Sequence, residues 1–153
     1  MLNRRHVLFA ATIAAASPTV LFASDHVLTA TDAYAAMEQG NLILIDVRRP
    51  DEWMATGVAD GAWLLNMQDE RFGGYLMAVL DRNPDKDIAI ICRTGSRTAQ
   101  LMKVLAENGI TRVQDVAEGM LGGPRGTGWI KTGLPVVDAQ SAYDAMPKDL
   151  TAN

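Results

Sequence analysis

Apolar positions along this chain fall into short dense runs separated by polar, glycine-rich punctuation. Residues 42–45 (Leu-Ile-Leu-Ile) and 88–91 (Ile-Ala-Ile-Ile) are continuous apolar runs, the pattern of strands covered on both faces. Shorter runs at 26–29, 62–65 and 113–116 predict three further strands, the last of these closing the sheet. Helices are predicted between them. One runs through 33–38, capped by Thr29 or Thr31 and ended by Gly40. A short one at 50–54 has Pro50 in its first turn, Asp51 and Glu52 near its N-terminus, and Gly57 closing it. Two more are predicted at 74–80 and 98–106, the second stopped by Asn108-Gly109, while Asn83-Pro84-Asp85 loops into the strand at 88. Strand and helix alternate throughout, so the fold class is α/β: a parallel sheet with helices on both faces and a site at the carboxyl ends of the strands.

The ends of the chain read differently. Residues 1–23 join a charged start, with Arg4 and Arg5, to an apolar stretch and small residues, the pattern of a signal peptide. The paired arginines favour twin-arginine export over an ordinary secretory leader, with cleavage after Ala16 or Ala23. With Pro18 inside it, the apolar stretch is marginal for an uncleaved anchor. The expectation is a periplasmic protein with no stable membrane association after cleavage. The folded domain is assigned to 24–138 and a frayed tail of weak helical character to 139–153. Residues 119–128 carry five glycines and one proline, a loop expected close to the site, and 128–135 is expected to form a helical turn.

Composition narrows the function. A 153-residue chain with 48 % hydrophobic and 21 % charged residues has room for one domain with a core. Its formal charge of −4 excludes nucleic acid as the main partner; loss of Arg4 and Arg5 with the leader leaves 12 basic against 18 acidic residues, or −6. A small anionic substrate then needs a local positive pocket on an acidic body.

Cys92, the only cysteine, ends the apolar run at 88–91 and is followed by Arg93-Thr94-Gly95-Ser96-Arg97 and a helix. A thiol between a strand end and a helix N-terminus sits where backbone N–H groups converge and the helix dipole is positive. Those surroundings favour the thiolate, and Cys92 is read as a nucleophile. The two histidines, His6 and His26, lie in the leader and just beyond it, so a Cys–His dyad and a structural zinc or iron–sulfur site have no material. No metal and no cofactor are expected. Activation by loop amides, Arg93 and Arg97 suits a soft anionic electrophile. Cysteine phosphatases place five residues between cysteine and arginine; here Arg97 follows after four, a tighter loop suited to a sulfur carried on the cysteine. Trp53, Trp63 and Trp129 are expected to pack in core or loop, Trp129 being the candidate pocket wall.

Ile45-Asp46-Val47-Arg48 with Pro50-Asp-Glu-Trp53, Gly57 to Ala62, Ile91 to Arg97, Val116-Ala-Glu118-Gly119 and Gly128-Trp129 through Gly133-Leu-Pro135 together resemble the single-domain rhodanese family, in order, from about residue 26 to 138. The sequence departs from that family's pattern at Val58-Ala-Asp60, where histidine-isoleucine-proline is common. The resemblance implies a five-stranded parallel sheet and sulfur transfer through a cysteine persulfide. Cys92 would accept sulfur, residues 93–97 would form the loop whose amides face it, and Arg93 and Arg97 would bind the anionic donor. Asp46 and Arg48 would support the site or form an ion pair bracing the strand end. The implied partners are a small anionic sulfur donor such as thiosulfate and an acceptor that is cyanide or a thiol, including a periplasmic thiol protein. Two alternatives stay open: a persulfide carrier or binding module of the same fold, and a phosphatase or arsenate reductase using the loop as an anion nest.

Overall fold

The computed structural model describes residues 26–150; the predicted leader at 1–23 lies outside them. In chain order the elements are β1 (Val27–Leu28), α1 (Ala30–Glu38), β2 (Leu42–Asp46), α2 (Pro50–Thr56), β3 (Val58–Ala59), β4 (Trp63–Leu64), α3 (Phe72–Arg82), β5 (Asp87–Ile91), α4 (Ser96–Glu107), β6 (Val113–Val116), β7 (Val136–Val137) and α5 (Ala139–Ala145), followed by a 3₁₀ turn at Lys148–Leu150. Five strands form the parallel sheet, in the order β1-β6-β5-β2-β4.

The two long apolar runs became the central pair, β2 beside β5, with Leu42 opposite Asp87 and Asp46 opposite Ile91. Alternate side chains feed opposite faces. Ile43, Ile45, Ile88 and Ile90 join one buried cluster with Trp53 of α2, Leu76 and Val79 of α3 and Leu105 of α4. Leu42, Leu44, Ala89 and Ile91 join the other, under Ala30 and Ala33 of α1 with Met120 and Trp129. Burial on both faces is why these runs show no polar alternation. Thr29 caps α1, its hydroxyl accepting from Asp32 N–H at 3.0 Å.

Chain direction divides at the centre of the sheet. From β2 the chain goes outward to β4, returns to β5 on the other side of β2, and then goes outward to β6. The segments leaving β2 and β5 therefore diverge, and open α/β sheets hold ligands in the crevice that this creates. Cys92 is the first residue after β5.

Two features differ from the sequence reading. Val136 and Val137 form β7, which pairs antiparallel with Val58 and Ala59 of β3 at the place where the family's histidine-isoleucine-proline is missing. Gly57 turns the chain into this ribbon at φ +73°, and a Cβ there would stand 2.6 Å from Val136 Cγ1 and 2.8 Å from Val137 O. The C-terminal residues, expected to fray, instead fold back: Ala142, Met146 and Leu150 are buried in the first cluster. Asp138 caps α5 by accepting from Ser141 N–H at 2.9 Å, and α5 packs on β4, the outer strand. There Leu64 N–H donates to Met146 Sδ at 3.5 Å. Too few apolar residues are contiguous after 138 for periodicity to show this packing.

Replacing Met146 by Ala is expected to cost about 2–5 kcal/mol, the range for a buried methionine truncation. A urea unfolding midpoint measured at unchanged m-value checks it, and a frayed tail would leave the midpoint where it was.

Candidate active site

The loop after β5 carries Cys92 into the start of α4. Gly95 makes the turn at φ +85° and is the N-cap residue. A Cβ on Gly95 would lie 1.8 Å from Ala117 O and 3.2 Å from an Arg125 guanidinium nitrogen, so glycine alone fits. In this conformation Gly95 N–H donates to Cys92 Sγ at 3.2 Å, and the Thr98 hydroxyl lies 3.6 Å from the same sulfur while donating to Gly95 O at 3.1 Å. Ser96, Arg97 and Thr98 form the first turn of α4, where backbone N–H groups have no intrahelical acceptor. Among the described residues no other protein acceptor serves them. The sulfur thus receives one backbone N–H, with the Thr98 hydroxyl beside it, and Cys92 is fully buried in the first core cluster rather than open to small anions.

The arginines divide their work. Arg97 makes a two-pronged ion pair with Glu52 of α2, at 2.7 and 2.5 Å. It ties the two diverging helices together across the crevice and is not a free anion ligand. Its pKa is raised, chiefly by the hydrogen bond to Glu52, with the Glu52 and Cys92 charges adding to it against partial burial. Glu52 is correspondingly held below the ordinary carboxylate range, first by Arg97 and then by Arg49 N–H and both arginine charges, with burial opposing. Arg93 is exposed instead, at a groove of about 200 Å³ that it shares with Arg49, Glu52 and Leu121. Of the two predicted donor ligands, Arg93 is the one without a carboxylate partner among the described residues.

Asp46 and Arg48 brace the scaffold. Both side chains are fully buried, and the Arg48 guanidinium donates to both Asp46 oxygens at 2.7–3.0 Å. Its remaining donors reach the Thr56 hydroxyl and Gly57 O, each at 2.8 Å. A guanidinium at the carboxyl end of α2 complements the helix dipole and ties that end to β2. The pair does not touch Cys92. Trp129 is no pocket wall either: it is fully buried, its indole N–H donating to Pro135 O at 2.8 Å and its ring edge-on to Tyr34. Trp53 lines a separate apolar cavity of about 330 Å³ with Leu65, Tyr75 and Leu150.

The glycine-rich segment does lie against the site. Met120 N–H donates to Cys92 O at 2.8 Å and Leu121 N–H to Arg93 O at 2.9 Å. Gly119 approaches so closely that a Cβ would stand 2.6 Å from Arg93 O. Glu118 accepts from Gly128 N–H at 3.0 Å and closes the segment on itself. Four contributors escaped the sequence reading: Glu52, Thr98, Asp115 and Arg125. Asp115 carried a usable signal, since a carboxylate inside a buried strand needs a cation. Glu52 was visible only as an acid favouring a helix start. Among the described residues no group of three histidine, cysteine or acidic side chains is placed to hold a metal ion.

Because the Glu52 pKa is lower in the folded chain than its ordinary value of 4.5, the Glu52–Arg97 pair stabilises fully above about pH 4.5 and loses its contribution as pH falls through the folded value. Glu52→Gln is expected to cost about 1.5–3 kcal/mol at neutral pH, as for hydrogen bonds to charged groups. Its stability should also decline less between pH 5 and 3 (approximate limits set by ordinary carboxylate titration), as read by urea unfolding across pH.

Residues 29–122 match the rhodanese-like domain family. The chain is 30 % identical over 99 residues to a sulfurtransferase of Allochromatium vinosum, covering 63 % of this chain and 79 % of that protein. Among solved structures it is similar to a rhodanese-related protein of Thermoplasma volcanium, at 28 % identity and a TM-score of 0.50, over 72 % of this chain and 96 % of the other. It is also similar to the polysulfide-sulfur transferase homodimer of Wolinella succinogenes, at 28 % identity and a TM-score of 0.51, over 78 % of this chain and 83 % of that one. With its sheet order, its cysteine loop and a family match spanning more than half its length, the chain belongs to the rhodanese-like domain family.

Proposed function

We propose that this protein is a sulfurtransferase that carries a sulfane sulfur on Cys92. The observation that supports this most directly is the Gly95 N–H donating to Cys92 Sγ at 3.2 Å where the loop enters α4. Such a donor stabilises an anionic sulfur, both as thiolate and as the terminal atom of a persulfide. The Cys92 thiolate attacks the outer sulfur of thiosulfate or a similar donor; the donor S–S bond breaks and sulfite leaves with the electron pair. An acceptor thiolate or cyanide then attacks the outer sulfur of the persulfide, forming a new persulfide or thiocyanate and returning Cys92 as thiolate. Arg93 meets the anionic end of the donor, while Arg97 fixes the loop through Glu52. Arg97, which closes the loop, is bonded to Glu52 and is not free to cradle a tetrahedral phosphate, which favours sulfur over phosphoryl chemistry. Export through the leader at 1–23 would put this chemistry in the periplasm.

Full burial of Cys92 supports a second reading, a persulfide carrier that transfers once and turns over poorly. Steady-state transfer from saturating thiosulfate to cyanide separates the two: continued turnover supports the enzyme, one equivalent per chain the carrier.

Incubation with thiosulfate is expected to add one sulfur atom to the intact protein, and cyanide to remove it. Intact-mass measurement checks both steps. No adduct on the natural chain, or the same adduct on Cys92→Ser, would remove the proposal.

A further inference from the structure

Main-chain hydrogen bonds from Met120 and Leu121 lay the glycine-rich segment on the Cys92 loop, and they are available to any sequence. One side chain adds a specific hold. Arg125 Nη1 donates to Gly95 O at 2.8 Å and to Asp115 Oδ2 at 2.7 Å. Gly95 is the residue whose N–H lies on the Cys92 sulfur, so Arg125 grips from outside the same residue that touches the sulfur within. Asp115 belongs to β6, which pairs with β5, so the anchor is part of the rigid sheet. Its carboxylate is buried, and Oδ1 has no donor, leaving Arg125 as its cationic partner. Burial makes this pairing strongly preferred to an open state with an uncompensated carboxylate. Arg125 itself is about one-third exposed and sits between Gly123 and Gly126, whose mutual hydrogen bonds form a tight turn. A cation on a surface turn therefore engages a buried anion on a sheet strand, across the residue whose N–H meets the cysteine sulfur.

We propose that Arg125 is a positioning residue: paired with Asp115, it latches the glycine-rich segment onto Gly95 and sets the access of small reagents to the Cys92 sulfur. The inference rests on Cys92 being the working sulfur, as in the reading above, but the latch itself needs no sulfur donor. Its released state exposes the sulfur; its engaged state is the buried one seen here.

Alkylation by iodoacetamide tests it. The reagent is neutral, and with one cysteine in the chain the intact mass reads Cys92 alone. The informative variant is Arg125→Ala combined with Asp115→Asn, which removes the latch without stranding a buried charge. Its alkylation rate should rise at least tenfold over the natural chain and stay flat at low urea, as for a local opening. Arg125→Lys, which restores a cationic donor, should recover most of the protection. A double variant alkylated at the natural rate would overturn the proposal. So would rates that rise only in step with the global unfolding constant, or a double variant that fails to fold, because a loop latch leaves the sheet standing. The thiosulfate adduct can fail while the alkylation result holds, so this outcome and that of the proposed function are read separately.

Discussion

Between Gly95 and the Ala117 carbonyl there is room for a hydrogen atom and no carbon. That close approach determines the rest of the site. It presses the turn after β5 against the segment leaving β6, aims Gly95 N–H at the Cys92 sulfur, and starts α4 directly from that turn. An alanine at 95 would need both a left-handed backbone and a displaced main chain, and no neighbouring side chain could absorb the change. The sulfur environment is thus set by backbone fit, with little contributed by side-chain chemistry.

Three acid–arginine pairs then stiffen the frame at different depths. Asp46–Arg48, sealed in the core, joins β2 to the end of α2. Glu52–Arg97, partly buried, joins α2 to α4 across the crevice where the sheet connections diverge. Asp115–Arg125 joins β6 to the glycine-rich segment. Each pair neutralises its arginine, so a sequence that looks rich in cations around the cysteine presents chiefly Arg93 to an anion. Most of the positive charge has gone into architecture. Two charges at hydrogen-bonding distance, shielded from water, hold diverging segments more firmly than exposed pairs of the same composition would.

The sheet was legible because its information is local. Unbroken apolar runs at 42–45 and 88–91 can be satisfied only by burial on both faces, and the glycines at 40, 57 and 109 mark where helices must end. Cys92 and its loop were legible for the same reason, since strand, loop and helix follow one another in the chain. The ion-pair partners were hidden by distance: Glu52 meets Arg97 from 45 residues away, and Asp115 reaches Arg125 only after a turn built from glycines. Nothing in the spacing of Arg93 and Arg97 distinguishes the arginine that is bonded away from the one left exposed. The fold-back of α5 was hidden because its buried residues, Ala142, Met146 and Leu150, are small or widely spaced. The burial of the sulfur was likewise invisible, as it depends on how the first core cluster closes around Cys92 from segments distant in the chain.

Concealment of Cys92 also bears on encounters between whole molecules. A disulfide needs the two Cα atoms within about 7 Å of each other, and a sulfur buried in the core cannot be brought that close to a neighbour's. In an oxidising medium, where a solitary surface thiol would couple covalently to its twin, burial withholds this sulfur from such cross-linking.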